Sequence, residues 1–254
     1  MLLKIYLSIF LFFPVYIVSM QPKPFSLLQR ELFTAVRERN EKKIYTLLEY
    51  HNNLSQCINF QSTDILHYAV EYGSTHSVRL LLEHNADPNT IFDGNKEGYT
   101  SLHYAVRFHR KTKLLLEHNA DPNAESFYGN TPLHTCCEYD GKIENIKLLL
   151  DYGANINATN SKRKICLHFA AVKNHERMKV LLSYNPEINS LDYKGQTPLH
   201  IAARRMQTKI VKLLLDNGAD AHQKDYYNET PLDIAWNLSS FYDKDKIVQL
   251  LEER

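Results

Sequence analysis

The stretch TPLHIAARRMQTKIVKLLLDNGADAH, from Thr197 to His222, contains the features that recur along this chain. Thr197 can supply the side-chain oxygen that caps a helix start, and Pro198 suits the first helical position, where its missing N–H is not needed. Gly218 follows a run of three leucines, where a left-handed residue would close a second helix. The stretch therefore predicts a helix that begins at Pro198 and another that ends before Gly218.

The Leu-His pair of this stretch returns at regular intervals. The histidines are His67, His103, His134, His168 and His200, separated by 36, 31, 34 and 32 residues. The spacing continues forward to Asp233 in TPLDIA and backward to Phe33 in LFTA. A second marker recurs in step, as LLLEHNADPN at 80–89 and 114–123, LLLDYGANIN at 148–157, and the weaker VLLSYNPEIN in the fifth unit. Two markers in phase predict a repeat protein of seven units.

The other units carry the same helix signals. Thr100, Thr131 and Thr230 stand at the capping position, and Asp64 offers an equivalent oxygen in the second unit. Gly153 repeats the closing residue of Gly218, and three asparagines, which tolerate left-handed geometry, take that place elsewhere. These asparagines are Asn85, Asn119 and Asn185.

These residues resemble the ankyrin repeat, whose pattern is TPLHxA, then a leucine-rich helix, then GADxN. The resemblance covers the chain from about Leu27 to Arg254. It implies an all-α ankyrin-repeat solenoid of about seven helix-turn-helix units with projecting β-hairpin loops. It also implies that each motif histidine joins adjacent units through side-chain to backbone hydrogen bonds. Similar proteins with an export-like start occur among intracellular bacteria and large DNA viruses.

The domain organisation follows from the repeat. We expect an N-terminal capping repeat at 21–62, ankyrin repeats at 63–229 and a C-terminal capping repeat at 230–254. The two end units carry charged sequences, RERNEKK and DKDKIVQLLEER, as expected for units that face solvent on one side.

Residues 1–20, MLLKIYLSIFLFFPVYIVSM, differ from the rest of the chain. Their uncharged run from Ile5 to Ser19 is 15 residues long and contains Pro14, whereas a membrane-spanning helix needs about 20 apolar residues. This pattern favours a signal peptide and a secreted or exported protein. The alternatives are a membrane tether, or a cytoplasmic protein whose true start is Met20.

Composition narrows the classes of partner. The chain has 30 Lys and Arg against 29 Asp and Glu, so it lacks the basic excess typical of nucleic-acid binding. Its four cysteines form no CxxC pair, and Cys136 and Cys137 stand where other repeats have small apolar residues, which predicts buried filler. We expect no metal, no cofactor, no nucleic-acid partner and a monomeric chain.

No motif of an enzyme is present. The sequence contains no phosphate-binding loop and no GxSxG nucleophile elbow, and a ladder of evenly spaced histidines cannot converge on one metal ion. The sequence therefore predicts a non-enzymatic protein–protein interaction module, acting as an adaptor, scaffold or secreted effector. The alternative is an inhibitory or regulatory subunit that occludes a partner enzyme.

Candidate partner-binding residues are those that the repeat pattern leaves variable, on the concave face at the end of the first helix of each unit and at the loop tips. They are Glu71, Tyr72, Arg107, Phe108, Phe127, Tyr128, Glu138, Tyr139, Lys173, Tyr193, Arg204, Arg205, Tyr226 and Tyr227. Aromatic residues and arginine are typical anchors of protein interfaces. Because tyrosine is abundant in this chain, some of these rings could instead cover neighbouring repeats.

Overall fold

The computed structural model of the chain describes residues 25–50, 65–92, 97–139, 141–172, 174–238 and 244–254. Fourteen helices lie in these ranges and form seven successive pairs, one pair for each predicted unit. The pairs are α1 (Phe25–Arg37) and α2 (Glu41–Tyr50), α3 (Ile65–Glu71) and α4 (Thr75–Glu83), α5 (Ser101–Ala105) and α6 (His109–Glu117), α7 (Pro132–Glu138) and α8 (Ile143–Asp151), α9 (Cys166–Ala170) and α10 (His175–Leu182), α11 (Pro198–Arg204) and α12 (Thr208–Asp216), and α13 (Pro231–Asn237) and α14 (Lys244–Glu252).

The pairs stack in chain order. We call the first helix of each pair the inner helix and the second the outer helix. Inner helices pack on neighbouring inner helices, and outer helices pack on neighbouring outer helices. One continuous apolar core runs from Leu28 in the first unit to Leu251 in the last. The leucine runs supply much of this core, since a helix between two neighbours buries apolar surface on both sides. The predicted all-α solenoid of seven units is confirmed.

The helix boundaries are those expected from the capping residues. Thr131, Thr197 and Thr230 are N-caps in extended conformation, and each accepts a hydrogen bond from the backbone N–H three residues on. At the other end of the units, Gly153 and Gly218 have φ values of +88° and +87°. The three asparagines predicted to play the same part, Asn85, Asn119 and Asn185, have φ values of +64°, +62° and +51°. Asp64, the predicted cap of the second unit, lies outside the described residues.

Within the described ranges, loops lead from outer helices to the following inner helices. In one of them, β1 (Ile91–Phe92) pairs antiparallel with β2 (Tyr99–Thr100), with Ile91 opposite Thr100. The later loops are tight hairpin-like turns. In the last of these, the backbone N–H of Asp225 donates to the backbone carbonyl oxygen of Glu229 at 2.9 Å, and Asn228 closes the turn with a φ of +65°.

Two inner helices are shorter than the others. Helices α5 and α9 contain five residues, whereas α3, α7, α11 and α13 contain seven. In the third unit the cause is visible in the sequence, because only ten residues separate His103 from Leu114, compared with twelve between the equivalent His67 and Leu80. The shortened helices leave space at their carboxyl ends, next to the loops.

The cysteines that the structure describes are part of the core. Cys136, Cys137 and Cys166 are buried, and each has a free thiol. Burial raises the pKa of the Cys136 thiol, so the protonated and unreactive form is favoured. The interpretation of Cys136 and Cys137 as buried filler is confirmed. Cys57 lies outside the described residues.

The apolar segment at 1–20 also lies outside the described residues, so its predicted role as a signal peptide or anchor stays a prediction. Among the helices that the structure describes, none is long and apolar enough to cross a membrane.

Candidate protein-binding face

The motif histidines connect each unit to the next. In every case Nε2 donates to a backbone carbonyl oxygen in the following loop: His67 to Tyr99 (2.8 Å), His103 to Asn130 (2.8 Å), His134 to Lys164 (2.9 Å), His168 to Gln196 (3.0 Å) and His200 to Glu229 (3.2 Å). The five side chains form a row along the stack and do not converge on one cavity. Their role as links between repeats is therefore confirmed.

The hydrogen bonds fix the charge state of most of these rings. In His103, His134, His168 and His200, Nδ1 accepts the backbone N–H of the N-cap residue at 3.1–3.2 Å, so Nε2 must carry the single ring proton. Burial lowers the pKa of His103 to about 4 and holds the pKa values of the other three below the usual value. These rings are neutral at pH 7.

A row of asparagines makes a second set of links between units. The side-chain oxygens of Asn89 and Asn123 accept the backbone N–H groups of Asp121 and Asn155, both at 2.7 Å. Asn157 makes the equivalent contact with Glu187 at 2.9 Å. The last asparagine of the ADPN motif is thus occupied in holding neighbouring units together and is not available to a partner.

A third set of links was not found from the sequence. The third residue of several outer helices points into the preceding unit. Lys111 is buried and its Nζ donates to the carbonyl oxygens of Val70 (2.6 Å) and Gly73 (2.9 Å) at the end of α3. Such carbonyls carry the negative end of the helix dipole, which a cation stabilises.

Arg177 and Asn145 repeat this arrangement. Arg177 donates to the carbonyl oxygens of Cys137 (3.1 Å) and Gly141 (2.7 Å), and Asn145 donates to Val106 at 2.7 Å. The sequence feature that could have identified these residues is a strongly polar residue inside an otherwise apolar stripe of a helix, as in HRKTKLLLE and HERMKVLL. These residues stabilise the array and are excluded from the candidate binding site by their burial.

The predicted binding residues lie outside all three sets of links. Glu71, Arg107, Glu138, Arg204 and Arg205 are exposed at the carboxyl ends of inner helices, together with the half-exposed rings of Tyr72, Phe108 and Tyr139. We call this surface, with the loop tips beside it, the inner face. Lys173 belongs to the same predicted set but lies outside the described residues.

Two grooves divide the inner face. The tyrosine groove has a volume of about 430 Å³ and lies at the end of the short helix α5. It brings together four of the predicted residues, Glu71, Arg107, Phe108 and Tyr139. The remaining lining residues come from the floor and the adjoining loop, and they are Glu97, Tyr99, His103, Tyr104 and Thr135.

The lining of the tyrosine groove is weakly acidic, with the carboxylates of Glu71 and Glu97 and the single cation of Arg107. The Tyr99 ring stacks on His103, with centroids 4.9 Å apart, and its hydroxyl is hydrogen-bonded to Tyr139. Burial, with Tyr139 and Glu97 nearby, raises the pKa of Tyr99, so its hydroxyl stays protonated. Glu71 raises the pKa of Tyr72 through its charge. Because the imidazole of His103 is neutral, it contributes no positive charge to the floor.

The arginine groove lies next to the short helix α9 and has a volume of about 250 Å³. Four cationic side chains line it: Lys164, Lys194, Arg204 and Arg205. Asp192 is the acidic residue of the lining, but it is buried and its Oδ1 accepts the backbone N–H groups of Lys194 (2.8 Å) and Gln196 (3.0 Å). The groove is therefore basic.

The loop tips fall into two classes. The first tip residue packs against the preceding loop, since Phe127, Tyr193 and Tyr226 each donate a backbone N–H to that loop at 2.9–3.0 Å. The rings of Phe127 and Tyr226 also lie directly over Gly98 and Gly195.

The second tip residues, Tyr128 and Tyr227, are as exposed as Phe127 and Tyr226, and their rings do not lie over a described glycine of the preceding loop, so we regard them as the better candidates for partner contact. Some of the predicted aromatic residues therefore cover neighbouring repeats, and partner contact by the others stays a prediction.

No three His, Cys, Asp or Glu side chains within the described part of the chain are grouped so that they could hold a metal ion.

Similarity to known proteins agrees with this architecture. The family model for ankyrin repeats matches residues 32–126, 91–160 and 167–253. The ankyrin repeat protein FPV223 of fowlpox virus (strain NVSL) is 33% identical over 124 residues, which are 49% of this chain and 85% of that protein. A second protein of this virus, FPV222, is 30% identical over 128 residues, which are 48% of this chain but only 17% of that protein. The expected kinship with proteins of DNA viruses is confirmed.

Among solved structures, the ankyrin repeat domain of Bcl-3, a member of the IkappaB protein family, superimposes with a TM-score of 0.74 and 26% identity. The match covers 87% of this chain and 97% of that domain. Since the family model matches most of the chain and the stacked helix pairs carry its characteristic links, the chain belongs to the ankyrin-repeat family.

Proposed function

We propose that this chain is a non-enzymatic recognition module that binds a protein partner on its inner face, as an adaptor, scaffold or secreted effector. Ankyrin repeats are protein–protein interaction modules. One observation carries the proposal. The residues that recur from repeat to repeat are occupied in links between units, while aromatic and arginine side chains remain exposed beside two grooves. Aromatic rings gain much apolar burial for little lost rotamer freedom when a partner covers them, and arginine is a frequent anchor of interfaces.

The test removes three exposed rings at or beside the tyrosine groove. The triple variant Tyr72→Ala, Phe108→Ala and Tyr139→Ala should lose most partner capture in an affinity pull-down, because these three residues keep 38–49% of their surface exposed on the inner face, whereas Tyr99 is buried. The matched control is Tyr45→Ala with Tyr152→Ala, which removes rings of similar exposure from the outer helix α2 and from the residue that follows α8. Circular dichroism and thermal melting should show that both variants remain folded. Unchanged capture by the triple variant would remove the proposal.

A second candidate function is inhibition or regulation of a partner enzyme. The likeness to the ankyrin repeat domain of Bcl-3, a member of the IkappaB protein family, favours a regulatory role, and inhibition of an enzyme is our extension of it. Titrating the purified partner with the chain distinguishes the two: a regulatory subunit lowers the partner's activity at saturation, whereas a scaffold leaves it unchanged.

Export remains a separate proposal. The apolar run from Ile5 to Ser19 supports a signal peptide, which would make the chain a secreted protein. Mass measurement of the mature chain tests it, since cleavage would remove residues 1–19 or nearby residues, whereas a tether would retain them.

A further inference from the structure

The inner face is divided by charge, and the division follows the two grooves. Glu71, Glu97 and Glu138 lie at or beside the tyrosine groove, where Arg107 is the cation of the lining. Lys111 is close to Phe108, at 4.7 Å from the ring centroid, but it is buried with its ammonium group hydrogen-bonded to carbonyls of α3. Its charge therefore offsets the helix dipole and does not face the groove.

Positive charge dominates the inner face at the fifth and sixth units. Lys164, Lys194, Arg204 and Arg205 surround the arginine groove, and the carboxylate of Asp192 is already engaged by backbone N–H groups. Two of these ammonium groups lie over aromatic rings, Lys164 over Phe169 at 5.7 Å and Lys194 over Tyr193 at 5.5 Å. Such contacts hold the cations near the inner face.

The boundary between the two regions lies at the fourth unit. Glu138 is the last acidic residue beside the tyrosine groove. Lys162 and Lys164, in the following loop, are close enough to favour its charged carboxylate form. The formal net charge of the whole chain is only +1, so the two regions reflect how the charges are distributed along the stack and not an overall excess.

We infer that the inner face binds a partner segment whose charge is polarised along its length, with its basic end on the tyrosine groove and its acidic end on the arginine groove. The inference rests on the proposed function and specifies the chemistry of the partner. Complementary charge chiefly supplies orientation and selectivity, while the aromatic rings supply the buried apolar surface.

The spacing of the grooves sets the length of this segment. The grooves are centred on the third unit and between the fifth and sixth, and packed helices lie about 8–10 Å apart. Their centres are therefore roughly 20–25 Å apart, a distance that about seven residues of extended chain span. A partner segment of about fourteen residues would reach across both.

The experiment compares two fluorescein-labelled peptides of about fourteen residues and identical composition. The block peptide carries its lysines at one end and its glutamates at the other, with phenylalanines between them, and the alternating peptide mixes the two charges along its length. Fluorescence anisotropy with the full chain at low salt should show that the block peptide binds at least about tenfold more tightly. The difference should shrink at about 0.5 M salt, where charges are screened within a few ångströms.

Paired variants locate the effect. Glu71→Gln with Glu138→Gln should remove most of the preference for the block peptide, and Arg204→Gln with Arg205→Gln should do the same. The control, Glu144→Gln with Lys147→Gln, changes exposed charges on the outer helix α8 and should leave the preference intact. Equal binding of the two peptides, no binding of either, or a preference that survives both groove variants would overturn the inference.

The outcome can be separated from that of the proposed function. If the triple variant without Tyr72, Phe108 and Tyr139 loses partner capture but the chain shows no preference for the block peptide, protein recognition stands and the charge polarity fails. If partner capture is also unaffected by the triple variant, both fail.

Discussion

The imidazoles that link the units couple the stability of the array to pH. In the unfolded chain each imidazole titrates near 6.5, whereas burial lowers the pKa of His103 to about 4 and lowers those of His134, His168 and His200. Below pH 6.5 the unfolded chain therefore binds protons that the folded chain excludes. Stability contributed by these groups is complete above this pH and is lost as the pH falls toward 4.

We expect the urea midpoint of unfolding to fall steadily from pH 7 to pH 5. For His103 alone, lowering the pKa from 6.5 to about 4 corresponds to about 3 kcal/mol once the pH has fallen to 4. Replacing the exposed His222 by Gln should leave the pH dependence unchanged. A midpoint that is constant or rises between pH 7 and pH 5 would contradict the assignment of neutral, buried imidazoles.

Lys111 gives a second prediction for a single residue. Lys111→Met keeps the aliphatic bulk but removes the ammonium group from the carbonyls of Val70 and Gly73. Leaving such acceptors buried without a donor costs about 1–3 kcal/mol, so we expect a loss of about 2 kcal/mol in the free energy of unfolding. Lys113→Met is the control on the same helix, because Lys113 is exposed and only pairs with Glu117 at 3.8 Å. It should cost less than about 0.5 kcal/mol. Equal effects of the two substitutions in urea unfolding would refute the role of Lys111.

These residue-scale links differ in how far they could be predicted. The roles of the motif histidines followed from the family resemblance, and the capping threonines followed from local sequence. Lys111 and Arg177 could not be assigned in this way, because their acceptors belong to the preceding unit and are reached only when the units stack. A charged residue in an apolar stripe indicates that something unusual occurs, but not which carbonyls it contacts.

At the scale of the element, the loops depend on glycines in left-handed conformation. Gly195 has a φ of +73°, and a Cβ atom there would lie 2.6 Å from the Tyr226 ring. Gly218 has a φ of +87°, but a Cβ atom there would meet nothing within 4 Å. The two positions share the backbone penalty, which is about 1–2 kcal/mol for a residue with a Cβ atom, and differ only in steric contact.

We therefore expect Gly195→Ala to destabilise the protein by about 1 kcal/mol more than Gly218→Ala does, since the Tyr226 ring and its backbone must move. The excess should appear as a lower melting temperature. Near-ultraviolet circular dichroism should change only in Gly195→Ala, where the tyrosine environment is altered. Identical melting temperatures would show that the loop adjusts without strain and that Tyr226 is free to leave its neighbour.

The helices were predictable from the sequence to a greater degree than the grooves between them. Threonine and proline mark where α7, α11 and α13 begin, and asparagine or glycine marks where the outer helices end. The described residues that were predicted at the ends of inner helices are exposed there, and their part in binding stays a prediction. Their grouping into an acidic and a basic groove was missed, because it depends on the short helices α5 and α9 and on charges from loops of different units.

At the scale of the whole molecule, the helices of each unit pack mainly on those of the adjacent units, so stability should depend on position along the stack. In such arrays the free energy is approximately a sum of unit and interface contributions. Leu167 in α9 lies between two flanking units, whereas Leu251 in α14 packs only toward the sixth unit among those described. Both side chains are almost completely buried, at 1% and 2% exposure, which makes them a matched pair.

We expect Leu167→Ala and Leu251→Ala each to remove about 2–5 kcal/mol of local stability, through lost transfer energy and the cavity left behind. The consequences should differ in extent. Native-state hydrogen exchange should show loss of protection on both sides of the fifth unit for Leu167→Ala, because opening there breaks two interfaces. For Leu251→Ala the loss should be confined to the last unit and its contact with α12. If Leu251→Ala loosens all units equally, the array unfolds as one cooperative body, and the recognition surface cannot be divided into separately stable units.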